Sequence, residues 1–512
     1  NEFIKQNRKF RSKFTIKDSC LKLLIEEPGW AMLLHTNAIF AMIINQAKGY
    51  VPVWLCGANC QEHQLLRSYF PNLEIITTKK KWLLKKIYAV IISFLKFVKI
   101  IFFKDILEFR YDGVQYGDIV YDTYLSENKV ATIKKIDLKI FKIISKCIFR
   151  HIKIKNILQS GNYAGILTSH QQGISGGVML RSALRYGYQG YLHTGHHQAT
   201  LMYFKNLKEA KANCPHKPLQ FDIHQIIKQL GPRLNEVFLE IFNNEVAGKG
   251  SIDGPNAFLG NNKYYTNRTI FNKDFKLDTD RKNVFVMLHA FNDHPHTTFN
   301  WMIFKDYYDW FIKTLEFAKK NSKVNWIFKQ HPSIKDYPAE DVDFEKLFSG
   351  CPDNIVYIDE SKQIDTRSLI HCADLIVTCL GSAGFELPAM GAIPSVTAGD
   401  NPYSSLGFAI EPKTKKEYFG VLDRVDKIKK LSAENQNIAK AVYIYIYKIS
   451  RVNLTACPLL STSQLKDKTI NDWYWDKVFN QYSAREDVVI KELNRYIEII
   501  KKPGFEKLNS EV

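Results

Sequence analysis

The sequence predicts an α/β protein made of two Rossmann-like halves, and three observations carry that expectation. The chain is 512 residues long, more than one ordinary hydrophobic core accommodates. Short apolar runs alternate with stretches of helical spacing in both halves, as repeated strand, helix, strand units require. Between about residues 241 and 282 the periodicity fades while Gly, Asn and Asp accumulate, the signature of a segment joining two domains. The expected division is residues 1–265 and 266–512, with the last helices crossing back.

In the first half, Trp30 to Leu34 reads as a strand, Asn37 to Gln46 as a helix and Val51 to Cys56 as a strand. Gln61 to Tyr69 follows as a helix and Leu73 to Ile76 as a further strand. Strands joined in this way are parallel, with right-handed crossovers. Phe109 to Tyr124 interrupts the series: Asp112 and Gly113 sit between alternating aromatic residues, as in a β-hairpin. The series resumes with a strand at Ala164 to Thr168, which runs into Ser169, His170 and a glycine-rich turn before a helix at Val178 to Tyr186. In the second half, strands are read at Val284 to Leu288, Val324 to Phe328, Ile355 to Ile358, Leu375 to Cys379 and Pro394 to Thr397, with a helix at Phe304 to Lys319. No repeat of solenoid period is present.

A composition of 46% hydrophobic, 13% aromatic and 24% charged residues excludes a disordered or fibrous chain. The net charge of +19, from 71 Lys and Arg against 52 Asp and Glu, favours polyanionic partners: nucleic acid, acidic lipid headgroups or phosphorylated sugar donors. Lys79 to Lys104 holds eight lysines and no acid within an apolar filling that includes Trp82, Ile87, Phe94 and Phe102. Its longest uncharged run, Ile87 to Leu95, is far short of the roughly 20 residues that span a bilayer, so an interfacial helix is expected and not a transmembrane one. Lys134 to Lys155 repeats the theme with Asp137 as its one acid. The alternative is a solvated face in a lysine-rich protein.

The nine cysteines lack metal-binding or disulfide spacing, Cys56 with Cys60 and Cys372 with Cys379 being weak pairs, and a reduced cytoplasm fits them. No signal-peptide pattern is read, so the sequons at Asn267 and Asn453 carry no meaning. The expected location is the cytoplasm, peripheral at the inner face of the cytoplasmic membrane.

The strongest local motif is Cys379-Leu-Gly-Ser-Ala-Gly-Phe-Glu386, where a strand ends in a small-residue turn and a helix opens. Free amides and the positive end of a helix bind phosphate there, and Glu386 can accept hydrogen bonds from a ribose diol. Ordinary strand-to-helix packing, with Glu386 offsetting the helix dipole, is the plainer alternative. Trp326-Ile-Phe-Lys-Gln-His-Pro-Ser333 places Lys329 and His331 at a strand's carboxyl end, where ligands of open α/β sheets bind, and Pro332 stops the strand. A lone histidine before a proline is more often structural; the glycine-rich turn in the same half strengthens the functional reading.

His331-Pro332, Gly381-Ser-Ala-Gly-Phe-Glu386, Met390-Gly-Ala-Ile-Pro394, Pro402-Tyr-Ser-Ser-Leu-Gly-Phe408 and Pro412-Lys-Thr-Lys-Lys-Glu-Tyr418 together resemble the capsule polysaccharide biosynthesis family, which includes the β-Kdo transferases. The resemblance covers about Val284 to Leu422 and is thin elsewhere. It implies a GT-B fold, two Rossmann-like domains facing a central cleft, and a His-Pro element shared with bacterial sialyltransferases, where it contacts the CMP portion of the donor. By this likeness His331 holds the donor phosphate or nucleotide, Ser382 with the Gly381 and Ala383 amides the phosphate, and Glu386 the ribose. The acidic-acidic-Gly element that carries the catalytic base in such transferases is missing: Tyr111-Asp112-Gly113 has only one of its acids, and Asp112 reads as a hairpin turn residue.

The general base is therefore sought elsewhere in the first half. His170, at a strand end before Gly173, is the first candidate and Asp122 the second; either can equally be a structural hydrogen-bonding residue. His193-Thr-Gly-His196-His197 and His289 to His296 lack the spacing of a zinc site. His289, Asn292 and Asp293, at the first strand end of the second half, are expected to face donor or acceptor. No metal and no cofactor is expected.

The function these expectations converge on is transfer of a sugar, Kdo or another ulosonic acid, from a nucleotide-sugar donor, with CMP favoured through the likeness, to a capsule or lipopolysaccharide glycan. The reaction is expected to be inverting and metal-independent, on a glycan or lipid-linked glycan acceptor at an anionic inner-membrane surface. Rival readings are a nucleotide-sugar epimerase and a non-catalytic protein of the membrane surface. Nucleic-acid binding is the third, although no RNA- or DNA-binding motif is visible.

Overall fold

The computed structural model describes residues 2–14, 16–26, 31–56, 60–77, 82–103, 105–212, 217–247, 263–297, 300–359, 364–460 and 472–510. The chain divides into two compact units, one of residues 1–123, 135–215 and 450–511, the other of 124–134 and 216–449. The boundary is thus not a single cut at residue 265: 216–247 stand with the second unit, and the chain returns to the first after residue 449.

In chain order the elements that matter are β1 (Lys22–Ile25), α1 (Ala31–Lys48), β2 (Val51–Cys56), β3 (Glu74–Thr77) and α2 (Leu83–Phe103). Next come the short strands β4 (Arg110–Tyr111) and β5 (Val114–Gln115), then α3 (Gly117–Asn128), α4 (Leu138–Gln159), β6 (Tyr163–Thr168), α5 (Val178–Arg185), β7 (Gln189–Gly195) and β8 (Gln198–Phe204). They continue with α6 (Gln220–Leu230), α7 (Leu234–Val246), β9 (Asn283–Met287), α8 (Tyr307–Ala318), β10 (Asn325–Lys329), β11 (Ile355–Ile358) and β12 (Leu375–Thr378). Last are α9 (Ala383–Gly391), β13 (Ser395–Thr397), α10 (Ala433–Ile444), β14 (Val452–Asn453), α11 (Asp472–Lys501) and β15 (Lys507–Leu508).

The first unit is built on a sheet ordered β14-β8-β7-β6-β1-β2-β3, with β15 also on β8. From β7 to β3 the pairings are parallel, while β8 turns back antiparallel on β7 and receives β14 and β15 antiparallel. The first strand is Lys22–Ile25 and not the expected Trp30 to Leu34: Leu23, Leu24 and Ile25 are wholly buried, and the helix α1 already begins at Ala31. Two apolar runs of similar length stood side by side, and periodicity alone does not separate a buried strand from the start of a buried helix. Trp30 lies outside the described residues. Helix α1 is apolar on nearly every side because it is covered on several, packing on α11 and on the sheet.

The expected hairpin is shorter than Phe109 to Tyr124. Arg110 and Tyr111 pair with Gln115 and Val114, and Asp112 and Gly113 take φ of 49° and 75°, the left-handed pair that a two-residue hairpin turn requires. From Gly117 the chain is helix α3. A Cβ on Gly117 would lie 2.1 Å from the Leu107 carbonyl oxygen, so a side chain there has no room.

The second unit holds a wholly parallel sheet ordered β11-β10-β9-β12-β13. Its strands are short, buried and rich in β-branched and aromatic residues, as doubly covered strands are. Asp306 starts α8 by accepting the Asp309 amide at 2.8 Å. Helices α6, α7 and α10 pack together around Phe238, Ile241 and Tyr443.

In each unit the five parallel strands run in the order third, second, first, fourth, fifth. The order therefore reverses between the first and fourth strands: β1 and β6 in one unit, β9 and β12 in the other. Connections leaving neighbouring strands there go to opposite faces of the sheet, opening a crevice at the strands' carboxyl ends. Those two places are where site residues are sought.

Candidate functional site

At the β9/β12 reversal, the residue two beyond β9 is His289, and its Nε2 accepts the Leu380 amide at 3.1 Å. The proton of this neutral imidazole is thereby assigned to Nδ1. Thr378, the last residue of β12, lies 3.2 Å from the same nitrogen through its hydroxyl and accepts the Gly381 amide at 3.1 Å. The ring stacks on Tyr307 at 4.2 Å. Burial, reinforced by His331, pushes His289 down to about 3, so it is a fixed, uncharged imidazole.

Lys329 ends the neighbouring strand β10, with 8% of its surface exposed. Burial lowers its ammonium to about 8 against the opposing pull of Asp365. His331 caps the turn Pro332–Lys335: its Nδ1 accepts the Ser333 amide at 3.1 Å, which leaves Nε2 as the donor. Burial first, and then Lys329, lower it to about 4. His331 acts on His289 and Lys329 on His331, so three basic groups sit together, each making the next harder to charge. An anion bound among them would relieve that repulsion.

Helix α9 starts beside His289. Ser382 takes the N-cap position but its exposed hydroxyl makes no capping bond. Among the described residues neither the Ser382 nor the Ala383 amide has a hydrogen-bond acceptor, while the Gly381 amide is already given to Thr378. The donors at this helix start are therefore Ser382 and Ala383, and Gly381 is not one. The glycines have packing reasons: a Cβ on Gly381 would stand 2.6 Å from Thr378 Oγ1, and one on Gly384 would stand 2.0 Å from the Tyr403 hydroxyl. That hydroxyl donates to the Gly381 carbonyl at 2.8 Å, locking the turn. Glu386 follows within the first turns, and its carboxylate accepts the Tyr447 hydroxyl.

Asn292 and Asp293 follow His289 in the same loop. Asn292 is buried and its amide nitrogen donates to the Pro338 carbonyl at 2.8 Å, and the Asp293 backbone closes a turn onto Ala290. They pin the loop that carries His289.

At the β1/β6 reversal of the first unit the groups are of another kind. Glu26, the residue after β1, is 1% exposed. Its carboxylate accepts the Thr168 hydroxyl, the Ser169 amide at 3.0 Å and the Ser169 hydroxyl at 3.3 Å. The Ser169 hydroxyl is 2.8 Å from His170 Nδ1. With Ser169 donating to Glu26, His170 donates through Nδ1 to Ser169, and its Nε2 is left as an acceptor on an exposed residue. Desolvation lowers the His170 pKa while Glu26 raises it. The turn after it is tight: a Cβ on Gly176 would lie 2.2 Å from the His170 carbonyl oxygen and one on Gly177 2.4 Å from that of Gln171. His193, whose Nε2–H donates to the Asn37 amide oxygen at 2.6 Å, is close enough to feel His170.

Asp122 is wholly buried within α3, away from any solvent-borne hydroxyl. Asp112 is more than a turn residue: the Tyr186 hydroxyl donates to its carboxylate, and His151 and Lys155 stand 3.4 and 3.5 Å away. Those partners, Tyr186 first, hold its pKa below the usual carboxylate value, which suits an anchored anion and not a base. The other histidine cluster is structural: His196 bonds Thr36 at 2.7 Å and Tyr474 at 3.2 Å, and His197 bonds the Cys457 carbonyl at 2.8 Å. Among the described residues no three His, Cys, Asp or Glu side chains are placed to hold a metal.

Glu26, Ser169, Thr378 and Tyr307 are the members that reading the sequence missed. For Glu26 a signal existed: it is the charged residue that ends the run Leu23-Leu24-Ile25, and placing the first strand at Trp30 to Leu34 hid it.

No family model and no curated protein sequence matches the chain. Among solved structures it is similar to the Thermosulfurimonas dismutans KpsC, a beta Kdo 2,4 transferase, at 11% identity over 55% of this chain and 79% of that one, with a TM-score of 0.31. It is also similar to the S. aureus MnaA–UDP structure at 9% identity, over 83% of this chain and 92% of that one, with a TM-score of 0.26. A third is the Acinetobacter baumannii MurG, at 12% identity over 94% and 99% of the two chains, with a TM-score of 0.20. Likenesses at these scores assign the chain to no family.

Proposed function

We propose that the chain is a glycosyltransferase of the GT-B type, moving a sugar from a nucleotide-sugar donor to a bacterial surface glycan. The observation that carries this is the set of anion-seeking groups at the β9/β12 reversal: Lys329, the His331 Nε2–H and the unengaged Ser382 and Ala383 amides, with neutral His289 behind them. A phosphate is the ligand such a set suits best.

The second unit then serves as the donor domain and the first as the acceptor domain. The acceptor oxygen bonds to the anomeric carbon as the bond from that carbon to the donor phosphate oxygen breaks. The electron pair leaves with the nucleotide, and Lys329, His331 and the two amides meet the charge that develops on it. The acceptor's proton passes to His170 Nε2, while Nδ1–H stays bonded to Ser169 and, through it, to Glu26. One displacement inverts the anomeric centre. Leaving-group charge is met by protein donors, so no metal is assigned a step. Glu386 takes the ribose diol in exchange for the Tyr447 hydroxyl. The finer assignment is a CMP-activated Kdo or other ulosonic acid, with a capsule or lipopolysaccharide acceptor at the inner face of the cytoplasmic membrane.

A thermal-shift series with CMP, UDP and GDP tests the donor site, since a ligand bound to the native state raises its melting temperature. CMP is expected to raise it most, and no shift with any of the three would remove the proposal. Incubation with nucleotide sugars separates transferase from epimerase: free nucleotide should form only when an acceptor glycan is present.

A further inference from the structure

Helix α2 is 21 residues long, contains Lys85, Lys86, Lys96 and Lys99, and has no acid. Its buried residues Ala89, Ser93, Phe97 and Ile100 recur at helical spacing and form one face. That face lies against α4, which runs antiparallel to it: Phe97 meets Phe141 at 5.7 Å and the Lys85 ammonium reaches Asn156 at 2.5 Å. On a helix of 3.6 residues per turn, Leu84, Ile87, Ile91, Phe94, Leu95 and Phe102 lie roughly opposite the buried face. All six are exposed, Phe102 by 78% and Leu84 by 80%.

A solvated helix should carry its polar residues there. Instead α2 holds eleven of the twenty exposed large apolar residues found among the described residues, too concentrated to be ordinary surface scatter. Lys85, Lys96 and Lys99 line one flank of the ridge, between it and the packed face. Lys139, Lys142 and Lys146 are exposed at helical spacing on α4.

We infer that α2 is a membrane-docking helix, lying in the plane of an anionic bilayer surface with its apolar ridge at the acyl boundary and its lysine flank among the headgroups. A helix of this length would extend about 31 Å, enough in length alone to cross a bilayer. However, four lysines and one whole side committed to α4 forbid a spanning arrangement, and no helix among the described residues is long and apolar enough to cross a membrane. A purely protein partner would leave the unbalanced positive flank unexplained, whereas acidic headgroups next to an apolar layer match both features of the helix. The inference goes beyond the transferase reading and stands without it: a chain that docks on vesicles but binds no nucleotide would keep this and lose that.

The test is sedimentation of the full chain with phosphatidylcholine vesicles, with and without phosphatidylglycerol. Binding is expected to the mixed vesicles and to weaken, without vanishing, at high salt, because the apolar part is not screened. Phe94→Ser with Phe102→Ser should reduce it at least about ten-fold, and Lys96→Glu with Lys99→Glu by a similar factor on mixed vesicles only. Both pairs lie on the surface, and an unchanged melting temperature checks that they fold. Failure to sediment, equal retention on both lipids, or retention untouched by the phenylalanine pair would each overturn the inference. A wild-type dimer that the phenylalanine pair dissociates, without vesicle binding, would show instead that another copy covers the ridge.

Discussion

The two sheets of this protein reverse strand order in the same way yet fill the resulting crevices with opposite chemistry. At the β1/β6 reversal a buried carboxylate stands behind a hydroxyl and an imidazole; at the ends of β9 and β10 an ammonium and two imidazoles act on one another, and His289 among them holds the turn that opens α9. One arrangement can take a proton and steady the resulting cation; the other can hold negative charge. The contrast shows how little of the chemistry follows from topology. The same strand reversal sets a buried carboxylate, Glu26, after the first strand of one sheet and a buried imidazole, His289, in the loop after the first strand of the other.

Under the proposed division of labour, damage to each place should have its own signature. The largest effect is expected from His170→Ala: turnover should fall about a thousand-fold, within the range of general-base catalysis, with nucleotide affinity in calorimetry unchanged. A parallel loss of nucleotide affinity would erase the distinction. Glu26→Gln should lower turnover roughly a hundred-fold or less and leave a specific trace. Glu26 raises the His170 pKa, so without its charge the rise of activity with pH should move to lower pH. A fall in rate with an unmoved profile would make Glu26 merely structural.

Smaller changes are expected at the other crevice. His331→Ala should weaken nucleotide binding about ten-fold, the worth of one charge-assisted hydrogen bond, and leave the His170-dependent pH profile in place. Smaller still is the pH dependence of binding itself. The Lys329 ammonium is the form that attracts phosphate and its pKa lies at about 8, so affinity should be steady below that pH and decline above it. In Lys329→Met the decline between neutral pH and pH about 9 should disappear, whereas a persisting decline would place the titrating group elsewhere.

The second sheet was readable because its strands are short apolar runs bounded by Gly, Pro, Asn and Asp, which fix ends as well as type. Lys329, His331 and the Ser382 turn could be placed at strand ends for that reason. The first sheet is less legible: Leu23 to Ile25 and the start of α1 are both apolar and both buried, and without alternation periodicity does not say which is the strand. Glu26, which follows the strand, and its link through Ser169 to His170 are hidden for the same reason. Asn292, Asp293 and Asp122 each lie in a polar-looking stretch near a strand or turn, but whether such a side chain faces solvent or the interior depends on packing that spacing does not report.

Composition and local pattern alone determined the α/β class, the two parallel series, the basic N-terminal helices and the glycine-rich turn of the second half, because each is a property of residues near one another in the chain. The pairing of Glu26 with Ser169, 143 residues away, the closure of His289 on Leu380, 91 residues away, and the outward turn of the α2 apolar ridge were decided only by tertiary structure. A hydrogen bond or an exposed face exists only when distant segments meet or fail to meet, and no local period carries that information.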